Sequence, residues 1–498
     1  MSKSMSWAAR PEARSRGATL ALAALVLLTG WRIAWLVVDP SELYVDEAQY
    51  WFWGTELAFG AYSKPPLIGW LIRAATELLG QTTFAVRVAA PLLHGLTAAL
   101  VLLLAQRLLG RGAAVFAALS YASLPAVALG SAMISTDTPL LLCIAAALLL
   151  LHELARRGQI WRASPGTAAA LGCVIGLGFL SKYAMIYAVA GMCAAAIVHR
   201  SWRIRRADLA VAAVLALAVL APNLWWNASH DFVTAHHLAE DSGWQGLRLH
   251  PMQALRFLLE QFAVMGPVLF GTWLLALLNP GRDDGPLRGL LAASAVILGI
   301  VTLQALTGRA LANWGVGFVV PGVIVVAARL DRAPLLRGLS LVLALAVTLA
   351  LPAVRVLGTD WRLPDGALLL ERFQGRAAVS HRAIGFARDH GAPILLAAER
   401  DLLADLAWQL RAEDGPQVLA APAPDGIPRH HWDLVRPWQP QPGAPVALLA
   451  KADAPPACAN GLAPLHSESW TAGPGFAEGR RFTLSLLPPG CLTSGEEK

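Results

Sequence analysis

The run ATLALAALVLLTGWRIAWLVV, residues 18–38, passes directly into DPSELYVDEAQYWFWG, residues 39–54, and the reading of this junction decides the fold. The first part is long enough, at about 20 apolar residues, to cross a hydrocarbon core of roughly 30 Å as a helix. It is too long, and too poorly followed by a small-residue cleavage site, to be a removable signal peptide, so it reads as an uncleaved anchor. The second part sets two adjacent carboxylates, Asp46 and Glu47, among Tyr44, Tyr50, Trp51 and Trp53. An anchor thus opens onto an acidic, aromatic loop.

Apolar segments of similar character recur near 86–106, 113–131, 136–152, 166–181, 183–199, 208–226, 255–278, 289–307, 313–328 and 338–354, which predicts about 11 spans. The composition, 56% hydrophobic and 15% charged over 498 residues, excludes a disordered chain and a disulfide-stapled secreted module. A net charge of +7 could suggest a nucleic-acid partner, but only five of the 40 basic residues are lysines, and the arginines cluster between apolar runs. Clusters so placed act as topology signals, so no nucleic acid is expected.

With the tail bearing Lys3, Arg10, Arg14 and Arg16 inside, the inside loops carry Arg107 and Arg111, then Arg156, Arg157 and Arg162, then Arg200 to Arg206. Arg282 and Arg288 follow, then Arg329, Arg332 and Arg337. The opposite loops hold few basic residues. The expected architecture is mainly α: a cytoplasmic tail (1–17), a polytopic helical membrane domain (18–354) and a small α/β domain on the outer side (355–498). In that last domain the pattern predicts a helix over 367–390 ended by Gly391, a strand at 393–397, a helix at 400–411, and strands at 445–450 and 482–487.

Cys143, Cys173 and Cys193 fall within spans and read as buried thiols, whereas Cys458 and Cys491 both lie in the outward tail, where an oxidising compartment would permit a disulfide. Gly172, Gly176 and Gly178 superficially resemble a dinucleotide fingerprint. No βαβ pattern surrounds them, and small residues at this spacing permit close packing of membrane helices.

The outward side gathers the ionisable residues that topology does not need. Asp46 and Glu47 fit a helix start at the interface, stabilised by the helix dipole, and fit equally a pair of working acids. Lys64 precedes Pro65 and Pro66, which stiffen the chain where it re-enters the membrane, so its ammonium is held at a defined depth. Lys182 stands in FLSKYAM, and for both lysines a snorkelling anchor is the alternative. Asp137, in STDTPL, could be a plain N-cap. Carboxylates and cations on one membrane face are what transfer from a lipid-linked phosphate needs: the cation stabilises the departing phosphate and a carboxylate takes the proton from the attacking hydroxyl.

DEAQYW, SKPPL, FAVRV (Phe84 to Val88), STDTPL (Ser135 to Leu140), FLSKYAM (Phe179 to Met185), PNLWWN (Pro222 to Asn227) and ANW (Ala312 to Trp314) follow one another in an order that resembles the bacterial branch of glycosyltransferase family 39 and the protein mannosyltransferases. That group includes the lipid A aminoarabinose transferases. The resemblance spans roughly residues 18–330 and implies a GT-C fold in the bacterial inner membrane. It also implies a periplasmic active site, a polyprenyl-phosphate sugar as donor, inversion at the anomeric carbon, and a lipid, glycan or protein acceptor. By that likeness Asp46 is the expected general base, Glu47 a supporting acid and Asp137 a second acidic site residue. Lys64, Lys182 and Arg87 are then the expected ligands of the donor phosphate. A divalent cation is compatible with the superfamily, but no spacing of ligands in the chain demands one.

The long outward loop from about Asn227 to Ala254 contains NASHDFVTAHH, with His230, Asp231, His236 and His237, which read as exposed loop side chains more readily than as metal ligands. Its length suggests a cover for the substrate. A transporter or lipid flippase is the alternative function. It would bury ionisable groups near the midplane of broken helices, where this sequence has almost none.

Overall fold

The computed structural model describes residues 11–159, 164–241, 243, 248–280, 285–423, 426–440, 443–456, 458 and 461–492. Of the charge pattern, Lys3, Arg10, Arg162 and Arg282 lie outside these residues. The anchor helix α1 (Pro11–Val38) leads into a loop with three helices, α2 (Val45–Thr55), α3 (Leu67–Leu79) and α4 (Thr83–Arg87). There follow α5 (Ala89–Leu108), α6 (Arg111–Ser123), α7 (Pro125–Ala132), α8 (Asp137–Gln159), α9 (Pro165–Ser181), α10 (Met185–Val198) and α11 (Arg206–Ala228). Then come α12 (Val233–Asp241), α13 (Pro251–Met265), α14 (Pro267–Leu278), α15 (Pro286–Thr307), α16 (Val319–Arg329) and α17 (Pro334–Leu357). The remainder is α18 (Arg376–Asp389), β1 (Ile394–Ala397), α19 (Arg400–Gln409), β2 (Gln417–Ala420), α20 (His431–Val435), β3 (Val446–Ala450), β4 (His466–Thr471) and β5 (Arg481–Leu487).

The chain divides into two compact units. One comprises the residues up to Val37, Val88–Asp231 and Leu238–Pro352; the other comprises Val38–Arg87, Phe232–His237 and the residues from Ala353 on.

The first unit is a helical membrane domain, and the expected 11 spans are not confirmed. Among the described residues seven helices are long and apolar enough to cross a membrane, or eight if α6 and α7, bent by 49°, count as one. The segments expected at 166–181 and 183–199 are helices of 17 and 14 residues. The one expected at 255–278 is cut between α13 and α14 at Gly266, whose φ of 89° leaves the helical region, and at Pro267.

Breaks inside lipid leave carbonyls without water, so other groups must satisfy them. Pro125 ends α6 because it has no N–H to donate, and the carbonyls of Ala122 and Ser123 are taken over by Arg32 Nη2 at 2.5 Å and Thr348 Oγ1 at 3.1 Å. Arg32, buried in the anchor helix, thus acts as a cap for a broken neighbour. The glycines of α9 allow close packing: a β-carbon at Gly172 would lie 2.4 Å from the Ala212 carbonyl oxygen, and one at Gly176 2.6 Å from Val219 Cβ. Gly172 and Gly176 thus pack against α11 and Gly178 against Met185, in keeping with the close packing read from the sequence.

The second unit holds a five-stranded mixed sheet in the order β2-β1-β3-β5-β4. β1 pairs in parallel with β2 and β3, while β5 pairs antiparallel with β3 and β4. β1, β3 and β5 are almost wholly buried. They were legible as apolar runs, whereas the edge strands β2 and β4 were not predicted. β4 reads HSESWT and alternates half-exposed with exposed residues, which gives little apolar signal. The helix expected over 367–390 starts only at Arg376, because Gly375 takes a left-handed φ of 84°. Cys458 and Cys491 form a disulfide.

Candidate active site

Within the second unit, α2 begins with Tyr44 at its N-cap, and both acids fall in its first turn, where the dipole favours them. Their surroundings differ sharply. Glu47 accepts the Tyr44 N–H at 3.0 Å, the acidic half of a capping box. Its two oxygens also receive Arg87 Nε at 3.0 Å and Nη2 at 2.9 Å. Arg87 spends its remaining donors on the loop ahead of α2: Ser41 Oγ at 2.9 Å, the Ser41 carbonyl at 3.2 Å, Asp39 Oδ2 at 3.3 Å and the Glu42 carbonyl at 2.6 Å. Arg355 joins from the end of α17, with Nη2 2.9 Å from Asp39 Oδ2 and 2.6 Å from Ser41 Oγ.

Glu47 is fully buried and Arg87 is 1% exposed. Burial alone would raise the Glu47 pKa, but the charge and hydrogen bonds of Arg87 outweigh it and hold the carboxyl below its ordinary value. The result is a sealed ionic platform under the start of α2.

Asp46, one residue earlier, points the other way. Its side chain is 39% exposed, and Oδ1 lies 3.2 Å from Arg400 Nη1 at the start of α19. Lys64 is half-buried between Ser63 and Pro65, both buried, and Pro66 caps α3 directly after it. Its carbonyl receives the Ala61 N–H at 3.2 Å, and the Ala61 carbonyl receives Thr234 Oγ1 at 3.0 Å. The Lys64 backbone is therefore fixed by hydrogen bonds as well as by the two prolines.

In the helical unit, four of the quoted motifs meet. Lys182 follows α9 in an extended conformation and places Nζ 2.7 Å from Asp137 Oδ1. Asn313, in the ANW turn, donates Nδ2 to Asp137 Oδ2 at 2.8 Å. Asp137 stands in the first turn of α8, but its side chain goes to these partners rather than to its own helix N–H groups. Beside them Tyr183 donates to Asn223 Oδ1 at 2.7 Å and accepts Asn227 Nδ2 at 3.1 Å. Sequence reading singled out Asp137 and Lys182 and missed Asn313, Tyr183, Asn223 and Asn227. Their signal was membership of the same motifs.

The loop histidines do not gather. His230 Nδ1 lies 2.8 Å from the Trp226 carbonyl and its ring stacks on Trp226, while His237 tilts against Tyr62. Among the described residues no three His, Cys, Asp or Glu side chains could hold a metal ion.

Three comparisons bear on this arrangement. Residues 63–226 match the family model for dolichyl-phosphate-mannose-protein mannosyltransferase. The lipid A galacturonosyltransferase RgtD of Rhizobium johnstonii is 36% identical over 409 residues, covering 81% of this chain and 85% of that protein. Crystal structures of ArnT from Cupriavidus metallidurans share the fold. The apo form has a TM-score of 0.66 at 15% identity, covering 95% of this chain and 98% of that one. The form bound to undecaprenyl phosphate gives 0.64 at 16%, covering 94% and 97%. The chain belongs to the mannosyltransferase-like family of multi-pass membrane glycosyltransferases that take a sugar from a polyprenyl-phosphate carrier, the family of RgtD.

Proposed function

We propose that this transferase moves a galacturonosyl group from a polyprenyl-phosphate carrier to a lipid A-type acceptor at the periplasmic face, with inversion. The acceptor and sugar are those in the name of RgtD, its 36%-identical relative. The observation that carries the mechanism is the contrast between the neighbouring acids. A general base must be reachable by the acceptor, and Asp46 is exposed where Glu47 is sealed.

In this reading the acceptor hydroxyl attacks the anomeric carbon and its proton passes to the Asp46 carboxylate. The bond between that carbon and the phosphate oxygen breaks, and polyprenyl phosphate departs against the Lys64 ammonium. Glu47 and Arg87 act by holding the start of α2. The Arg87 donors are already committed to residues 39–47, which favours this holding role over direct contact with phosphate. Within the helical unit, Asp137 and Lys182 form a pre-paired acid and cation, fixed by Asn313.

The positive-inside bias and the Cys458–Cys491 disulfide both support a cytoplasmic N-terminus, a membrane domain over 18–354 and a periplasmic domain over 355–498. The shorter apolar helices α9, α10 and α14, with the bent α6–α7 pair, would complete the expected crossings.

The test is transfer by the purified protein from synthetic galacturonosyl polyprenyl phosphate to lipid A. Asp46→Asn and Lys64→Ala should each lower kcat/KM by about 100-fold or more, as expected for loss of a general base or a phosphate cation. Wild-type rates in either variant would overturn the assignment.

A further inference from the structure

Arg400 is the first residue of α19, directly beyond the carboxyl end of β1. β1 is the strand at which the sheet order reverses, with β2 on one side and β3 on the other, both parallel to it. In open α/β sheets ligands bind outside the carboxyl ends of strands at such a reversal. Of the cations at these strand ends, Lys451 and Arg400 are used differently. Lys451, just after β3, is committed to both carboxylate oxygens of Asp401 at 2.8 and 2.7 Å. Arg400 is 44% exposed and, among the described residues, makes one ionic contact, at 3.2 Å through Nη1, to Asp46. A cation in the first turn of a helix is opposed by the helix dipole, so its placement calls for an anion. One monodentate carboxylate uses little of a fork with five N–H donors.

We infer that Arg400 is the residue that selects an acidic sugar: its open edge receives the carboxylate of a uronosyl donor while Nη1 stays on Asp46. The inference rests on the transferase reading above and deepens it. A uronosyl polyprenyl phosphate brings two anions where a neutral hexosyl donor brings one. Lys64 answers the phosphate, and Arg400 answers the carboxylate in the planar two-point geometry that guanidinium and carboxylate share. Since Arg400 also touches the proposed base, the sugar carboxylate is recognised beside the reacting centre.

The experiment compares two synthetic donors, galacturonosyl and galactosyl polyprenyl phosphate, with lipid A as acceptor, in wild type, Arg400→Gln and Arg400→Lys. The wild type should favour the acidic donor. In Arg400→Gln the kcat/KM for the galacturonosyl donor should fall about 100-fold and that for the galactosyl donor far less, shrinking the preference by at least about tenfold. Arg400→Lys, which keeps the charge and loses the fork, should fall between. Equal losses with both donors, or none with either, would overturn the inference, as would a wild type that uses both donors equally well. If the wild type turned over neither donor, the transferase reading itself would fail, an outcome distinct from these.

Discussion

Asp46 and Glu47 are neighbours in sequence with opposite fates, and helical geometry explains why. Successive residues on a helix point about 100° apart, so one can face solvent while the next enters the core. Glu47 contributes stability because it ionises more readily when folded. That contribution is present above its unfolded pKa and is lost as pH falls through the lower folded value. Breaking a buried pair from one side leaves the other charge unpaired, which costs about 3–5 kcal/mol. Arg87→Ala should therefore lower the thermal midpoint of the detergent-solubilised protein strongly. The double variant Arg87→Met with Glu47→Leu, which removes both charges, should be the less damaged of the two. Equal stability of Arg87→Ala and wild type in a thermal unfolding assay would mean that the platform does not hold α2.

At the scale of elements, α18 and α19 are joined by a buried hydrogen bond from Ser380 Oγ to Asp405 Oδ2 at 2.6 Å. Burial raises the Asp405 pKa to about 6, with Glu42 adding to the rise, against the lowering by Ser380, Gln409 and Arg376. Here the sign is opposite to that of Glu47. Between the unfolded value near 4 and the folded value the native state binds more protons, so stability falls as pH rises across that window, by about 3 kcal/mol in all. Asp405→Asn keeps an acceptor for Ser380 and should raise the unfolding midpoint at pH 7.5 while flattening its dependence between pH 4 and 6. A variant curve parallel to wild type over that range would refute the assignment.

What the sequence revealed of these elements follows from where their signal came from. The buried strands β1, β3 and β5 and the long spans announced themselves through apolar burial. The edge strands β2 and β4 depend on partners distant in sequence, so local pattern could not place them, whereas the breaks at Gly266–Pro267 and Pro125 carry a local signal that the apolar runs around them masked. The site was legible in the same uneven way. Asp46, Lys64, Asp137 and Lys182 stood out as charges that topology did not require. Arg400 was invisible as one arginine among many, since its meaning comes from a contact with a residue more than 300 positions earlier.

For the molecule as a whole, charge placement and redox chemistry give two independent arguments for one orientation. Arginine-rich loops such as Arg200 to Arg206 resist translocation. The Cys458–Cys491 disulfide closes a stretch of 33 residues, and such bonds persist in oxidising compartments. Loop-closure entropy makes such a crosslink worth about 3–4 kcal/mol, so the sheet domain gains from forming where oxidation is available. If both arguments are right, a reporter enzyme that needs disulfides to fold will be active when fused after Lys498 and inactive when fused after Arg205. The same orientation would put Asp46, Lys64 and Arg400 on the side where a periplasmic acceptor is met. An active fusion at Arg205 with an inactive one at Lys498 would invert the molecule, and the chemistry proposed for Asp46 would then face a compartment that holds no such acceptor.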